Sequence, residues 1–184
     1  MKRFPPVSQL TPALFERQVK AWLESVAKPL EAFSAKHLDS IDGVDGEYTI
    51  DVTARFQAFA GASFLIIAEC KKHKNPIKRE VVQALHDKQR SVGAQKAMVF
   101  ATSCFQSGAI EYASKHGIAL VQIVSGQAVY IQARAHREPR PIPEDAEDFA
   151  GLYYGPNPDG RLIFPELLTS SSNFTLARYL GVSE

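Results

Sequence analysis

The sequence predicts an α/β fold in which a central mixed β-sheet is flanked by α-helices. Three observations carry this. A two-residue alternation runs from Tyr48 to Phe56. An apolar strand with a charged end follows at Phe64 to Cys70. Beyond it, helical and strand patterns take turns, as parallel pairing through crossovers requires. With 45% hydrophobic and 22% charged residues among 184 positions, the chain can bury one core, and nothing calls for a second.

Each element has its own signal. Thr11-Pro12 is an N-cap followed by proline at the first helical position. Leu14, Phe15, Val19, Trp22, Leu23 and Val26 then recur at helical spacing to about Ala27. Pro29 either ends this helix or starts a short second one. Lys36 to Ile41 is the first expected strand, and Gly43 to Gly46 a turn. In the next strand Tyr48, Ile50, Val52, Ala54 and Phe56 form the apolar face, and Thr49, Asp51, Thr53 and Arg55 the polar one. The stretch around Gly61 turns the chain into Phe64 to Cys70, making an antiparallel hairpin. Lys78 to Val92 is an amphipathic helix closed by Gly93. Ala97 to Ala101, a helix at Ser107 to His116 with Gly117 as its stop, Ile118 to Ile123 and Ala128 to Ile131 complete the pattern. From Glu138 the character changes. Three prolines and an acidic run read as a linker, and the apolar tail from Gly151 is expected to pack on the core or on a second subunit. Residues 1–137 are thus the expected catalytic domain and 138–184 a linker with an extension.

Lys plus Arg total 21 against 20 Asp plus Glu, so a histone-like polycation is excluded and any nucleic-acid site must come from local clustering. No apolar run approaches the ~20 residues of a membrane span. The basic start has no apolar signal core behind it, and Cys70 and Cys104 cannot form a disulfide framework. A cytoplasmic location is the expectation.

The chemistry concentrates at Glu69-Cys70-Lys71. Alternation puts Glu69 and Lys71 on one face and Cys70 on the other. Asp51 lies on the polar face of the neighbouring strand. Two carboxylates and one ammonium at a strand end suit metal-dependent phosphodiester cleavage. Mg²⁺ takes oxygen ligands, here Asp51, Glu69 and the main-chain carbonyl of Cys70, with Mn²⁺ as a substitute. Lys71 would orient or deprotonate water, or neutralise transition-state charge. A Glu and a Lys two apart on a strand are also a common solvated salt bridge, and the tripeptide alone is a weak signal.

The run Gly46 to Val52, the hairpin, and Ile66-Ile-Ala-Glu69-Cys-Lys71 resemble the PD-(D/E)XK nuclease superfamily, and within it the Mrr-type restriction endonuclease catalytic domain. Further features follow in that family's order: Phe15-Glu16 on the first helix, a basic stretch after the lysine, Gly93 to Ser103, Phe105, Ala109, Tyr112-Ala113 and Gly117 to Leu120. The resemblance covers Leu14 to Ile123. It implies a restriction-endonuclease-like core, DNA as substrate, and catalytic positions at Asp51, Glu69 and Lys71. Ile50 stands where the superfamily name has proline, as is usual in this branch. The resemblance also makes Glu16 an accessory candidate, although an exposed carboxylate near a helix N-terminus is slightly the better reading.

Lys71, Lys72, Lys74, Lys78 and Arg79 form the one basic cluster. Its position after the proposed catalytic lysine points to DNA contact for Lys72 and Lys74, then Lys78 and Arg79. The five histidines have no metal-ligand spacing, and no DNA-reading module is recognisable. The leading expectation is therefore a Mg²⁺-dependent DNA endonuclease of restriction type. Double-strand cleavage by a subunit with one site implies a homodimer. The alternatives are a structure-selective repair or junction nuclease, and a non-cleaving DNA-binding module on the same scaffold.

Overall fold

The computed structural model describes residues 9–27, 30–58, 61–125, 149–154 and 166–168. Helix α1 (Pro12–Val26) begins where the sequence places it: the Thr11 hydroxyl accepts a hydrogen bond from the Leu14 N–H at 3.2 Å, and Pro12 lacks the N–H that the first turn could not pair. Strands β1 (Glu31–Asp42), β2 (Glu47–Ala58) and β3 (Ala62–Lys71) form an antiparallel meander. Helix α2 (Arg79–Ser91) leads to β4 (Lys96–Ala101), and α3 (Ser107–His116) to β5 (Ala119–Ser125); β3, β4 and β5 pair in parallel. Gly117, at φ 67°, supplies the left-handed turn that stops α3. Strands β6 (Phe149–Tyr154) and β7 (Glu166–Leu168) add antiparallel pairs, giving a seven-stranded sheet in sequence order.

The sheet separates two apolar layers. Phe15, Val19 and Leu23 of α1 pack with Val52, Ala54, Ile66, Ala68, Met98, Phe100 and Val121. On the other side, Val82 and Leu85 of α2 and Ala109 and Ala113 of α3 pack with Ile67, Ala97, Val99 and Leu120. Along β3, β4 and β5 the residues change layer strictly by twos.

The edge strands differ from the sequence expectation. The first strand runs from Glu31 rather than Lys36, and β2 does not keep one apolar face. Ile50 packs in the α2 layer while Val52, Ala54 and Phe56 pack in the α1 layer. Thr53, assigned to a polar surface, is buried and donates to Asp39 at 2.9 Å. The physical reason is backbone geometry in β1. Ala32 and Leu38 have positive φ, 50° and 52°, so the pleat turns over at each. Asp39 consequently faces the same side as Lys36, with Lys36, Thr53 and Arg55 around it. Two acidic residues of this region are thus engaged away from Asp51. Asp39 belongs to this buried network, and Asp45 accepts from Ser91 and Tyr48.

The 138–184 region contributes two strands to the sheet. Gly151 in β6 sits against the Trp22 ring: a Cβ there would lie 2.7 Å from the ring and 3.0 Å from Val121. Gly151→Val should therefore overpack this contact and cost about 1–3 kcal/mol, read as a lower denaturation midpoint. A midpoint equal to wild type would mean that β6 is not part of the cooperative core. The expected break at Pro29, the strand at 128–131 and the linker at 138–148 lie outside the described residues.

Candidate active site

Strand β2 pairs with β3 only from Val52↔Ala68 onward, so the two strands part at Asp51 and Glu69. Leu38, the second left-handed residue of β1, adjoins that point in register, between the His37↔Val52 and Asp39↔Ile50 pairs. The Cys70 N–H, beyond the last β2–β3 pair, donates to Asp51 Oδ2 at 2.7 Å. On its other side β3 pairs with β4 through Lys71↔Ala101, which holds the strand end rigid.

Alternation then places the remaining groups. The Cys70 side chain is buried in the α1 layer, while Glu69 and Lys71 share the α2 face. Glu69 Oε1 accepts from Lys71 Nζ at 2.5 Å, and Oε2 accepts from Lys88 Nζ of α2 at 3.1 Å. Glu16 Oε2 lies 2.6 Å from His37 Nε2 in β1, and both side chains are largely covered.

The electrostatics follow from burial and neighbours. Burial pushes the Asp51 carboxyl above its usual range. The Cys70 N–H opposes this, and repulsion from Glu69 and Glu16 adds to it. Burial also pushes Glu69 upward, but the Lys71 hydrogen bond and the charges of Lys71 and Lys88 outweigh it, so Glu69 stays below its ordinary range. Lys71 is pulled down by burial and pulled up more strongly by Glu69, with a net rise. It is therefore firmly cationic at neutral pH. The Cys70 thiol is pushed well up, by burial and then by Asp51, Glu16 and Glu69, so it is neither thiolate nucleophile nor thiolate ligand.

Among the described residues no group of three or more His, Cys, Asp or Glu side chains could hold a metal ion. The donors at the β3 end are two carboxylates only. That set fits a hard divalent cation, which keeps several waters and takes one or two protein carboxylates, and it does not fit zinc. Asp51 is half-buried, and its carboxyl is raised by burial first and then by repulsion from Glu69 and Glu16; a bound cation would relieve that repulsion, which supports the fit.

A family comparison bears on the fold. A model of the restriction endonuclease family, that of the Mrr catalytic domain, matches residues 8–130. The chain belongs to this restriction endonuclease family. Its matched region spans α1 to β5 and contains every group described above. Enzymes of the restriction-endonuclease-like kind typically use divalent metals. No curated protein matches the chain. Among solved structures, the crystal structure of a protein of unknown function, AF1548, is 22% identical with a TM-score of 0.45; the match covers 58% of this chain and 56% of that one. The chain thus spans little more than half of that protein's length.

Of the sequence candidates, Lys72 is half-buried, and Lys74, Lys78 and Arg79 are exposed on the segment from β3 into α2. Arg79 also lies over the Tyr112 ring of α3, 5.1 Å from its centre. Glu16 has a partner the sequence did not suggest, His37, because only the docking of α1 on β1 brings together residues 21 positions apart. Lys88 was missed altogether. A signal existed: Val81, Leu85 and Lys88 recur at helical spacing, so the sheet-facing stripe of α2 carries a cation in its third turn. No helix is long and apolar enough to cross a membrane among the described residues.

Proposed function

We propose that this protein is a divalent-metal-dependent DNA endonuclease of restriction type, with Asp51, Glu69 and Lys71 as its catalytic residues. The single observation that carries the reading is the meeting, where β2 and β3 part, of a half-buried carboxylate held by the Cys70 N–H and a Glu–Lys pair on one strand face. A structural salt bridge would account for Glu69 and Lys71. It would not account for a third ionisable group, Asp51, held where burial and two carboxylates disfavour its charge.

Asp51, Glu69 and the Cys70 carbonyl would hold Mg²⁺ or Mn²⁺, which supplies a more acidic bound water and neutralises charge on the phosphate. The protein groups have separate tasks. The Cys70 N–H fixes the Asp51 carboxylate. Lys71 would orient the water or stabilise the charge that develops on the phosphate. In the hydrolysis, water oxygen bonds to phosphorus and gives up a proton to solvent, one phosphorus–oxygen ester bond breaks, and the released sugar oxygen takes up a proton from solvent. Glu16, paired with His37 and felt by Asp51, has an accessory electrostatic role. Cleavage of both strands uses a homodimer.

Lys72 and Lys74, with Lys78 and Arg79, carry the DNA backbone toward the site. DNA affinity should fall with salt, and Lys72→Ala with Lys74→Ala should flatten the log–log slope by about 0.9 per lost phosphate contact. An unchanged slope would make this segment an ordinary solvated loop. The activity itself is tested by nicking of supercoiled plasmid, methylated and unmethylated, with Mg²⁺ or with EDTA. Nicking that needs the metal supports the proposal. A preference for methylated plasmid would favour restriction of modified DNA, and a preference for branched DNA over either plasmid would favour the junction-nuclease alternative.

A further inference from the structure

Glu69 carries one negative charge and meets two ammonium groups. Lys71 Nζ takes one carboxylate oxygen and Lys88 Nζ the other. Lys71 also feels the Asp51 charge, whereas Glu69 is the ion-pair partner described for Lys88. Both lysines are about one-quarter exposed, and Glu69 is nearly covered. Holding two long side chains in one place costs rotamer freedom, and two like charges converging on one acid repel each other. Such an arrangement is poorly explained as a device for stability alone.

The surroundings indicate a use. A cavity of about 300 Å³ opens beside the pair, lined by Glu69, Lys71, Val81, Leu85 and Lys88, with Glu80 also on its wall. It lies between the end of β3 and α2, next to the exposed lysines of the connecting segment. Every hydrogen bond described for Glu69 is made to a lysine that also faces this cavity.

We propose that Lys88 is a clamp on Glu69 in the DNA-free protein and a phosphate-contacting residue in the DNA-bound one. In the free protein its ammonium occupies the carboxylate oxygen that a divalent cation would otherwise take. When a cation binds Glu69, Lys88 is released into the cavity, where its charge meets a DNA phosphate. Metal and DNA therefore bind cooperatively: each favours the state in which Lys88 has left Glu69. The inference rests on the nuclease reading for the identity of the site but concerns a residue that reading does not require.

The test measures Mn²⁺ binding by electron paramagnetic resonance in the absence of DNA, and DNA binding over a range of salt with Ca²⁺ present. The proteins are wild type, Lys88→Met, Lys88→Arg and, to assign the site, Glu69→Gln. Lys88→Met keeps the apolar stem on α2 and removes only the charge. It should bind Mn²⁺ about tenfold more tightly than wild type, because the competing cation is gone, and its salt slope on DNA should flatten by about 0.9. Lys88→Arg should return both properties toward wild type. Glu69→Gln should lose the Mn²⁺ signal. Unchanged Mn²⁺ affinity and salt slope in Lys88→Met would overturn the proposal, as would weaker Mn²⁺ binding, the result expected if Lys88 merely props Glu69 in place. Absence of Mn²⁺ binding at Glu69 in wild type would also overturn it. Nicking separates the two claims. A wild type that nicks while Lys88→Met binds Mn²⁺ as wild type does keeps the nuclease and discards the clamp. A wild type that never nicks while Lys88→Met gains Mn²⁺ affinity does the reverse.

Discussion

Lys71→Ala should keep the fold and divalent-cation binding while losing nicking by about 10²- to 10⁴-fold, the range expected when one polarising or proton-handling group is removed. Asp51 remains held by the Cys70 N–H, and Glu69 retains Lys88, so neither carboxylate is stranded without a partner. The check is nicking rate against pH for wild type and variant, with Mn²⁺ binding measured in parallel. A variant that nicks within threefold of wild type would remove Lys71 from the chemistry.

Asp51→Asn should abolish detectable nicking and at the same time stabilise the metal-free protein at neutral pH. The loss of nicking follows from removing a charged oxygen donor. The gain in stability follows from the direction of the Asp51 shift. Burial first, and then Glu69 and Glu16, raise its folded-state pKa, so ionised Asp51 works against folding. A group raised in the folded state contributes stability that is fully present below its unfolded value, about 3.9, and lost as pH rises through the folded value. The asparagine variant escapes that loss, and its side-chain oxygen can still accept from the Cys70 N–H. Its advantage should therefore be greatest at neutral pH and shrink toward pH 3. Thermal melts in EDTA from pH 3 to 7.5 measure this. A variant less stable than wild type at pH 7 would mean that Asp51 serves as a structural anion.

The pairing of lost activity with gained stability is the mark of a site kept for function rather than for the fold. Lys71 and Glu69 do not share it, since each lowers the cost of burying the other. A mutational series across the three residues should thus divide. Asp51 variants trade activity for stability, whereas removing Lys71 leaves Glu69 a second lysine and costs the fold little.

The middle of the fold was legible because its residues obey one rule. In β3, β4 and β5 buried side chains alternate between two helical layers, and α2 and α3 sit at the expected places with the expected stops. The arrangement of Glu69, Cys70 and Lys71 follows from the same two-residue period. The edge was less legible because left-handed backbone at Ala32 and Leu38 turns the pleat over, and neither alanine nor leucine announces such a conformation. That feature hid the start of β1 and the shift of Ile50 to the opposite layer. Lys88 was hidden differently. It reaches Glu69 across 19 positions, and only the docking of α2 on the sheet brings them together. The strands of the extension were legible as apolar sequence, but their partner β5 could not be read from the sequence alone.

The most direct test is a side-by-side assay of wild type, Lys71→Ala and Asp51→Ala in one buffer, scoring supercoiled-plasmid nicking and DNA binding on the same preparations with Mg²⁺, Mn²⁺ or EDTA. Wild type should nick only with metal. Lys71→Ala should bind DNA and metal without nicking, and Asp51→Ala should bind DNA at least as tightly as wild type in EDTA, because a repelling carboxylate has gone. A wild type that binds DNA tightly yet nicks no DNA form with either metal would contradict the nuclease reading and make this chain a DNA-binding module on a nuclease scaffold.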